Sequence, residues 1–365
     1  MNEIYGIGEY VISDHPASEI DLLETQWRKL EQGKDMTAFQ SFDWQRGLFE
    51  LYRKERTRNL FRQWRYIEVL RDGQTVLIAP LEIKKMGIGY KNLGAARGVY
   101  FTGRMGHTDY LNFVYDEFDP EAVKTLIEYV SKQYRQKRFC LGRMLESSES
   151  HQWLSDTYKA KRQAVSCAAL ILPETFEEYR LSLSKSTRQN IRTALNRAKK
   201  NDLVLTHELV LDVKDPALQE QLIALNEQRL KKKTAASKRE ISLAGSVYCF
   251  FGDVFRKLFC AKPDLIRQSK NTFCFLVRSE QQLVGFFWGI RHVAKKEFYV
   301  ILVGVDQEYE WYSPNISHLY SFLEEYYAEG RQDIKVLDFT RGAEGYKKTI
   351  GCTNRPVSGL VFHIH

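Results

Sequence analysis

Leu337-Asp-Phe-Thr-Arg-Gly-Ala-Glu-Gly-Tyr-Lys-Lys348 opens as a short apolar run and closes in a dense set of polar side chains. Val336 to Phe339 predicts a buried parallel strand, and ligands in open α/β sheets bind beyond the C-terminal ends of strands. Asp338, Arg341, Glu344, Tyr346 and Lys347 crowd that end. They supply a carboxylate base, a cation for phosphate and a phenolic acid within about ten residues. With Gly342 and Gly345 in the same stretch, a plain polar turn is the simpler alternative.

The rest of the chain is of the kind that houses such a corner. At 365 residues it exceeds the size at which one hydrophobic core keeps growing, which predicts two domains. A hydrophobic content of 44% with 27% charge describes a globular protein rather than a disordered or fibrous one. No run reaches the roughly 20 apolar residues that span a bilayer, and Met1-Asn-Glu-Ile-Tyr5 lacks the plan of a signal peptide, so the cytoplasm is the expected compartment. Six cysteines (Cys140, Cys167, Cys249, Cys260, Cys274, Cys352) lie scattered without a C-x-x-C pair. Buried free thiols are expected, with neither disulfide nor metal site. The net charge of +8 favours an anionic partner without saying which.

The order of elements occurs twice. In the first half, a strand at Glu9–Ser13 and helices at Ala17–Leu30 and Trp44–Arg53 precede a hairpin, Arg65–Arg71 and Gln74–Glu82, around the turn Asp72-Gly73. A strand at Asp109–Tyr115, a helix from Pro120 to about Arg135, a strand at Arg138–Leu145, a short helix near Trp153 and a strand at Ala164–Leu172 follow. In the second half the hairpin is Thr272–Arg278 with Leu283–Arg291. Then come a strand at Phe298–Val305, a helix at Pro314–Glu329, a strand at Ile334–Phe339, a short helix at Glu344–Ile350 and a strand at Val357–His363. Two α/β domains of one architecture follow, 1–165 and 166–365, each a mixed sheet flanked by helices, with helical segments at 176–260 inserted between the copies. Within that insertion, Arg229 to Arg239 is dense in charge and predicts a loop or helix end, and Ser242–Phe259 another helix.

Two further segments have anion-binding potential. Ser186 with Gln189 suggests a capping box, and Ile191, Ala194, Leu195 and Ala198 form an apolar stripe. Arg188 and Arg192, four apart, then share a face near that helix start, as an anion clamp or as an ordinary solvated face. Ser313 as N-cap and Pro314 at the first helical position would aim the amides of Asn315, Ile316 and Ser317 outward, a pyrophosphate seat that any strand-loop-helix unit also offers.

Phe176-Glu-Glu-Tyr179, Leu183-Ser-Lys-Ser-Thr-Arg-Gln-Asn-Ile-Arg192, Tyr312-Ser-Pro-Asn315 and Asp338-Phe-Thr-Arg-Gly-Ala-Glu-Gly-Tyr-Lys347 together resemble the CelD-like acetyltransferase family of the GNAT superfamily, associated with cellulose and exopolysaccharide biosynthesis. Weaker echoes are Trp27-Arg-Lys-Leu30, Phe39-Gln-Ser-Phe-Asp-Trp44, Ala79-Pro-Leu81 and Asp109-Tyr110, so the resemblance runs along nearly the whole chain. The family is similar to the Fem-type transferases in carrying two GNAT-like domains in tandem. The resemblance implies acyl transfer, usually acetyl, from coenzyme A to an amine or hydroxyl of a small molecule or an envelope or polysaccharide precursor.

On that resemblance, the strand containing Val303 and Val305 would offer a backbone N–H to the thioester oxyanion. Tyr346 would protonate the thiolate, and Glu344 or Asp338 would deprotonate the acceptor. Arg188, Arg192, Arg341 and Lys347 would hold phosphates or acceptor. The chain departs from the pattern at Asn315, where the family usually has glycine, and it lacks the glycine-rich pyrophosphate loop of typical GNAT enzymes. Two other readings stay open: an aminoacyl-tRNA-dependent transferase of the Fem type, the one case that would bring in nucleic acid, and a non-catalytic accessory protein of polysaccharide synthesis. Acceptor and oligomeric state are not legible.

Overall fold

The computed structural model describes residues 4–54, 62–85, 97–103, 108–238, 262–312, 314–342 and 345–364. The chain divides into two compact units, Met1–Ser166 with Arg355–His365, and Cys167–Asn354.

The first unit carries β1 (Ile4–Ile7), β2 (Tyr10–Pro16), β3 (Arg62–Arg71), β4 (Gln74–Lys84), β5 (Gly98–Phe101), β6 (Arg138–Leu145) and β13 (Thr353–His363) in that spatial order. All neighbours are antiparallel except β5 with β6. Its helices are α1 (Glu24–Leu30), α2 (Phe42–Lys54), α3 (Pro120–Tyr134) and α4 (Glu149–Thr157). The predicted hairpin forms as expected: Asp72 and Gly73 both have positive φ, 51° and 74°, which matches the twist of the flanking strands. The expected helix at Ala17–Leu30 is a 3₁₀ turn over Ala17–Leu23 followed by α1.

The expected strand at Asp109–Tyr115 does not form. Every residue from Asp109 to Tyr115 is buried, and this largely apolar run is held by isolated bonds, Leu111 N–H to the Arg143 carbonyl and a single bridge between Val114 and Ile78. Burial without a ladder gives the same sequence signal as a buried strand.

The second unit orders β7 (Lys161–Ile171), β12 (Val336–Arg341), β11 (Glu297–Val305), β10 (Gln282–His292), β9 (Thr272–Ser279) and β8 (Thr206–Leu211). Only β11 and β12 run parallel. Around them lie α5 (Phe176–Ser182), α6 (Lys185–Lys200), α7 (Pro216–Lys238), α8 (Lys262–Gln268), α9 (Pro314–Ala328) and α10 (Gly345–Thr349).

Hairpin, antiparallel third strand, parallel fourth strand and antiparallel fifth thus occur in both sheets, which is the tandem mixed α/β architecture expected from the sequence. The fifth strands are exchanged: the strand that closes the first copy in sequence, β7, pairs with β12, and the chain's last strand, β13, pairs with β6.

Two local expectations in the second unit are corrected. The N-cap of α6 is Ser184, whose Oγ accepts the Thr187 N–H, so Ser186 lies inside the first turn and no box with Gln189 forms. The charged run from Arg229 does not end a helix, because α7 continues to Lys238; Lys, Ala and Arg are strong helix formers, and a charged face is compatible with an exposed helix. The expected helix at 242–259 lies outside the described residues.

Phe273, Phe275, Phe298, Phe322, Tyr326, Leu337 and Phe339 form the buried core of this unit together with Tyr179 and Ile191. One buried ionisable group in it makes a pH-dependent contribution. His318, on α9, packs against Gly285 of β10, where an added Cβ would fall 2.8 Å from His318 Nδ1. Burial, with a smaller contribution from His207, lowers its pKa from 6.5 to about 3. Between those values the unfolded chain binds a proton that the folded chain does not. Stability therefore falls as pH drops through this window, by about 2 kcal/mol between pH 7 and pH 5. The wild type should lose that much more than His318→Gln over the same interval in urea titrations; equal losses would remove His318 as the cause.

Candidate active site

β11 and β12 pair over three positions only, Glu297 with Val336, Phe298 with Leu337 and Tyr299 with Asp338, and then separate. A β-bulge opposite Trp288 and Gly289 turns β11 at this point, placing one extra residue, Ile301, between the partners Val300 and Leu302. Gly289 is required there, since a Cβ would lie 1.8 Å from the Tyr299 carbonyl oxygen. Bulges re-aim a strand and shift its alternation by one residue.

Before the bulge, the Lys296 carbonyl faces β12 and accepts from Lys335 and Val336, and the Val300 carbonyl accepts from the Thr340 hydroxyl at 3.2 Å. After it, Asp306 N–H donates to Val284 of β10, so by strand alternation the backbone groups of Val303 and Val305 point away from β10. The result is a wedge in which the β11 edge at Val303 and Val305 has no strand partner among the described residues, bounded by the end of β12. Its rear is closed by Asn226 of α7, a buried side chain whose Nδ2 donates to the Val303 carbonyl at 2.7 Å.

The other wall is the corner after β12. Thr340 has φ +54°, uncommon for a β-branched residue. Its N–H donates to Asp338 Oδ1 at 2.6 Å, and Asp338 is fully buried. Lys347, 4% exposed, reaches back from α10 and donates to the carbonyls of Phe339 (2.9 Å), Arg341 (2.9 Å), Gly342 (3.3 Å) and Thr340 (3.5 Å). The corner is therefore held by a buried ammonium and a buried carboxylate, each gripping backbone. Tyr346 is half-buried, edge-on to the Phe339 ring at 6.3 Å. Burial raises the nearby Cys352 thiol to about 12, with Lys347 opposing, so Cys352 stays protonated and is a poor nucleophile.

The remaining candidates disperse. Arg188 Nη1 donates to the carbonyls of Arg180, Leu181 and Leu183, at 2.5 Å to Leu183, capping the end of α5. Arg192 is exposed on α6, and Arg341 is half-buried at the strand end. Ser317 is buried, and Ile316 packs against the core. Asn315 lies in the first turn of α9. Glu344 and Ser313 lie outside the described residues. Asn226 and Thr340 were missed in the sequence. Asn226 alone carried a signal, as a polar residue on the stripe Leu218, Leu222, Leu225 that α7 buries. Among the described residues no group of three or more His, Cys, Asp or Glu could hold a metal ion, and no helix is long and apolar enough to cross a membrane.

The first unit has a corresponding separation of its parallel strands, since β5 and β6 pair only at Val99 and Phe139. There the chain's own segment fills the gap: Leu111 N–H bonds the Arg143 carbonyl, and the Arg143 guanidinium donates to the Thr108 carbonyl.

Residues 185–348 match the model of the acetyltransferase (GNAT) domain family. No curated protein sequence matches the chain. Among solved structures, it is similar to the C-terminal domain of a putative lysylphosphatidylglycerol synthetase from Agrobacterium fabrum (TM-score 0.54, 12% identity, 94% of this chain and 92% of that one). It is similar also to L-PGS from Bacillus licheniformis (0.53, 10%, 93% and 91%). A third is a conserved protein of unknown function from Bacteroides thetaiotaomicron (0.52, 12%, 100% of both). At such identities the likeness is one of fold. Family match and strand geometry agree that the second unit, which contains the wedge, has the fold of a GNAT-type acyltransferase.

Proposed function

We propose that the chain is an acyltransferase whose second unit takes an acyl group from a coenzyme A thioester and passes it to an amine or hydroxyl. The observation that carries this is the wedge: a strand edge freed by a bulge, facing a rigid corner that bears Tyr346. On this reading the edge amides of Val303 and Val305 donate to the thioester oxygen as it gains negative charge. Tyr346 gives its proton to the departing sulfur, and Glu344 takes the proton of the attacking amine, so charge balances over the transfer. Asp338, buried and bound to the Thr340 amide, shapes the corner. The first turn of α9, with Asn315 and Ile316, offers N–H groups that have no partner within the helix, suited to pyrophosphate. Arg341, at the end of β12, and the exposed Arg192 are the cations we assign to donor or acceptor.

The second reading takes the acyl group from an aminoacyl-tRNA. It is favoured by α6, which exposes Lys185, Arg192, Arg197, Lys199 and Lys200, and a tRNA-binding surface shows a steep salt dependence because phosphate contacts release counterions. Calorimetry with acetyl-CoA and with tRNA separates the two. Binding of acetyl-CoA is expected; no binding at millimolar donor, with salt-steep tRNA binding, replaces the first reading by the second.

A further inference from the structure

The β11 edge turned away from β10 carries acceptors as well as donors, and two of the acceptors, the carbonyls of Val300 and Val303, have side-chain partners. Val300 gives its carbonyl to the Thr340 hydroxyl from the β12 side. Val303 gives its carbonyl to Asn226, at 2.7 Å and 77 residues away in sequence. Asn226 is 5% exposed and sits among Leu218, Leu222 and Leu225 on the buried stripe of α7, where packing alone would be served by an apolar residue. A buried amide is costly unless bonded, so its bond to the Val303 carbonyl, which points away from β10, is what retains it there.

A strand edge recognises extended amide chains by main-chain bonds. The arm of an acyl-CoA donor carries two secondary amides in an extended chain. To lie along this edge, one of its N–H groups needs the Val303 carbonyl, which Asn226 holds.

We propose that Asn226 is a placeholder on the β11 edge: its side-chain amide occupies the hydrogen bond on the Val303 carbonyl that the amide arm of the donor takes over, and it gives that bond up when the donor binds. The inference rests on the acyl-CoA reading above. It makes Asn226 a determinant of donor affinity, because binding exchanges one bond for another instead of adding one. Removing the side chain leaves the Val303 carbonyl unsatisfied in the free protein and available at once to the donor.

The test compares the full chain with Asn226→Ala by calorimetry, using acetyl-CoA and adenosine 3′,5′-bisphosphate, a fragment without the amide arm. Asn226→Ala is expected to bind acetyl-CoA about fivefold more tightly, the equivalent of one net hydrogen bond, and the fragment with unchanged affinity. Unchanged or weaker acetyl-CoA binding overturns the placeholder, as does an equal shift for both ligands, which would mark a merely structural residue. If wild type and variant both fail to bind acetyl-CoA, the acyl-CoA reading falls and takes the placeholder with it. Should the variant not fold, the side-chain amide resonance of Asn226 in ¹⁵N-asparagine-labelled wild type decides: it shifts on saturation with acetyl-CoA if the bond is exchanged, and an unmoved resonance overturns the proposal.

Discussion

Lys347→Met should lower the stability of the second unit by about 3 kcal/mol, the scale set by losing hydrogen bonds from a charged donor while their acceptors stay buried. The ammonium of Lys347 has carbonyl oxygens at 2.9 Å on Phe339 and Arg341, with Gly342 and Thr340 farther out. Methionine keeps the length and apolar stem of the side chain and removes only the donor, so packing changes little. The carbonyls of Phe339 and Thr340 cannot be rewetted without opening a corner in which Phe339, Asp338 and Thr340 are all buried. Desolvation of the ammonium offsets part of its contacts in the wild type, which keeps the loss to a few kcal/mol. Amide exchange read across Thr340 to Gly342, together with urea unfolding, measures the effect. A loss under about 0.5 kcal/mol, the level of ordinary surface substitutions, would show that the ammonium is not what holds the turn.

The same residue shows how far the sequence could be read. Val336 to Phe339 announced itself as a buried strand, and the clustering of Asp338, Arg341, Tyr346 and Lys347 behind it located the corner correctly. The direction of each side chain was not legible. Lys347 looked like a cation for phosphate, yet it points back at its own strand, because α10 turns the chain within a few residues of the β12 end. Arg188 is similar: its spacing from Arg192 is a fact of helix geometry, but whether a guanidinium meets a ligand or the end of α5 depends on the turn between two helices.

Of the wedge, only its strand was read in the sequence, at Phe298–Val305; the bulge opposite Gly289 is a matter of register, which a single strand does not encode. Exchange of β7 and β13 was invisible for a related reason, since either strand has the alternation needed to sit beside either parallel neighbour. Asn226 lies 77 residues from its partner, and nothing local to α7 foretells which carbonyl it meets.

Tyr346→Phe should reduce kcat by about a hundredfold while the affinity for acetyl-CoA stays within about twofold, as expected when a general acid is removed and binding contacts are kept. The ring of Tyr346 packs edge-on against Phe339, and phenylalanine preserves that contact, so α10 and the corner should remain in place. What changes is the hydroxyl, the one proton source proposed for the departing sulfur. Loss of kcat at constant donor affinity would therefore be a transition-state effect rather than a defect of folding or binding. The accessory reading makes the opposite prediction: if the fold survives without its chemistry, Tyr346→Phe leaves the cellular role of the protein intact. A variant with full kcat would move the acid to another group at the wedge, and a variant with proportionate losses in kcat and donor affinity would assign Tyr346 to binding. Because Lys347 fixes the backbone from which Tyr346 is displayed, the two substitutions should not be additive. Once Lys347→Met has loosened the corner, removing the hydroxyl has less left to remove, and a double-mutant cycle on kcat should return a coupling of at least about 1 kcal/mol.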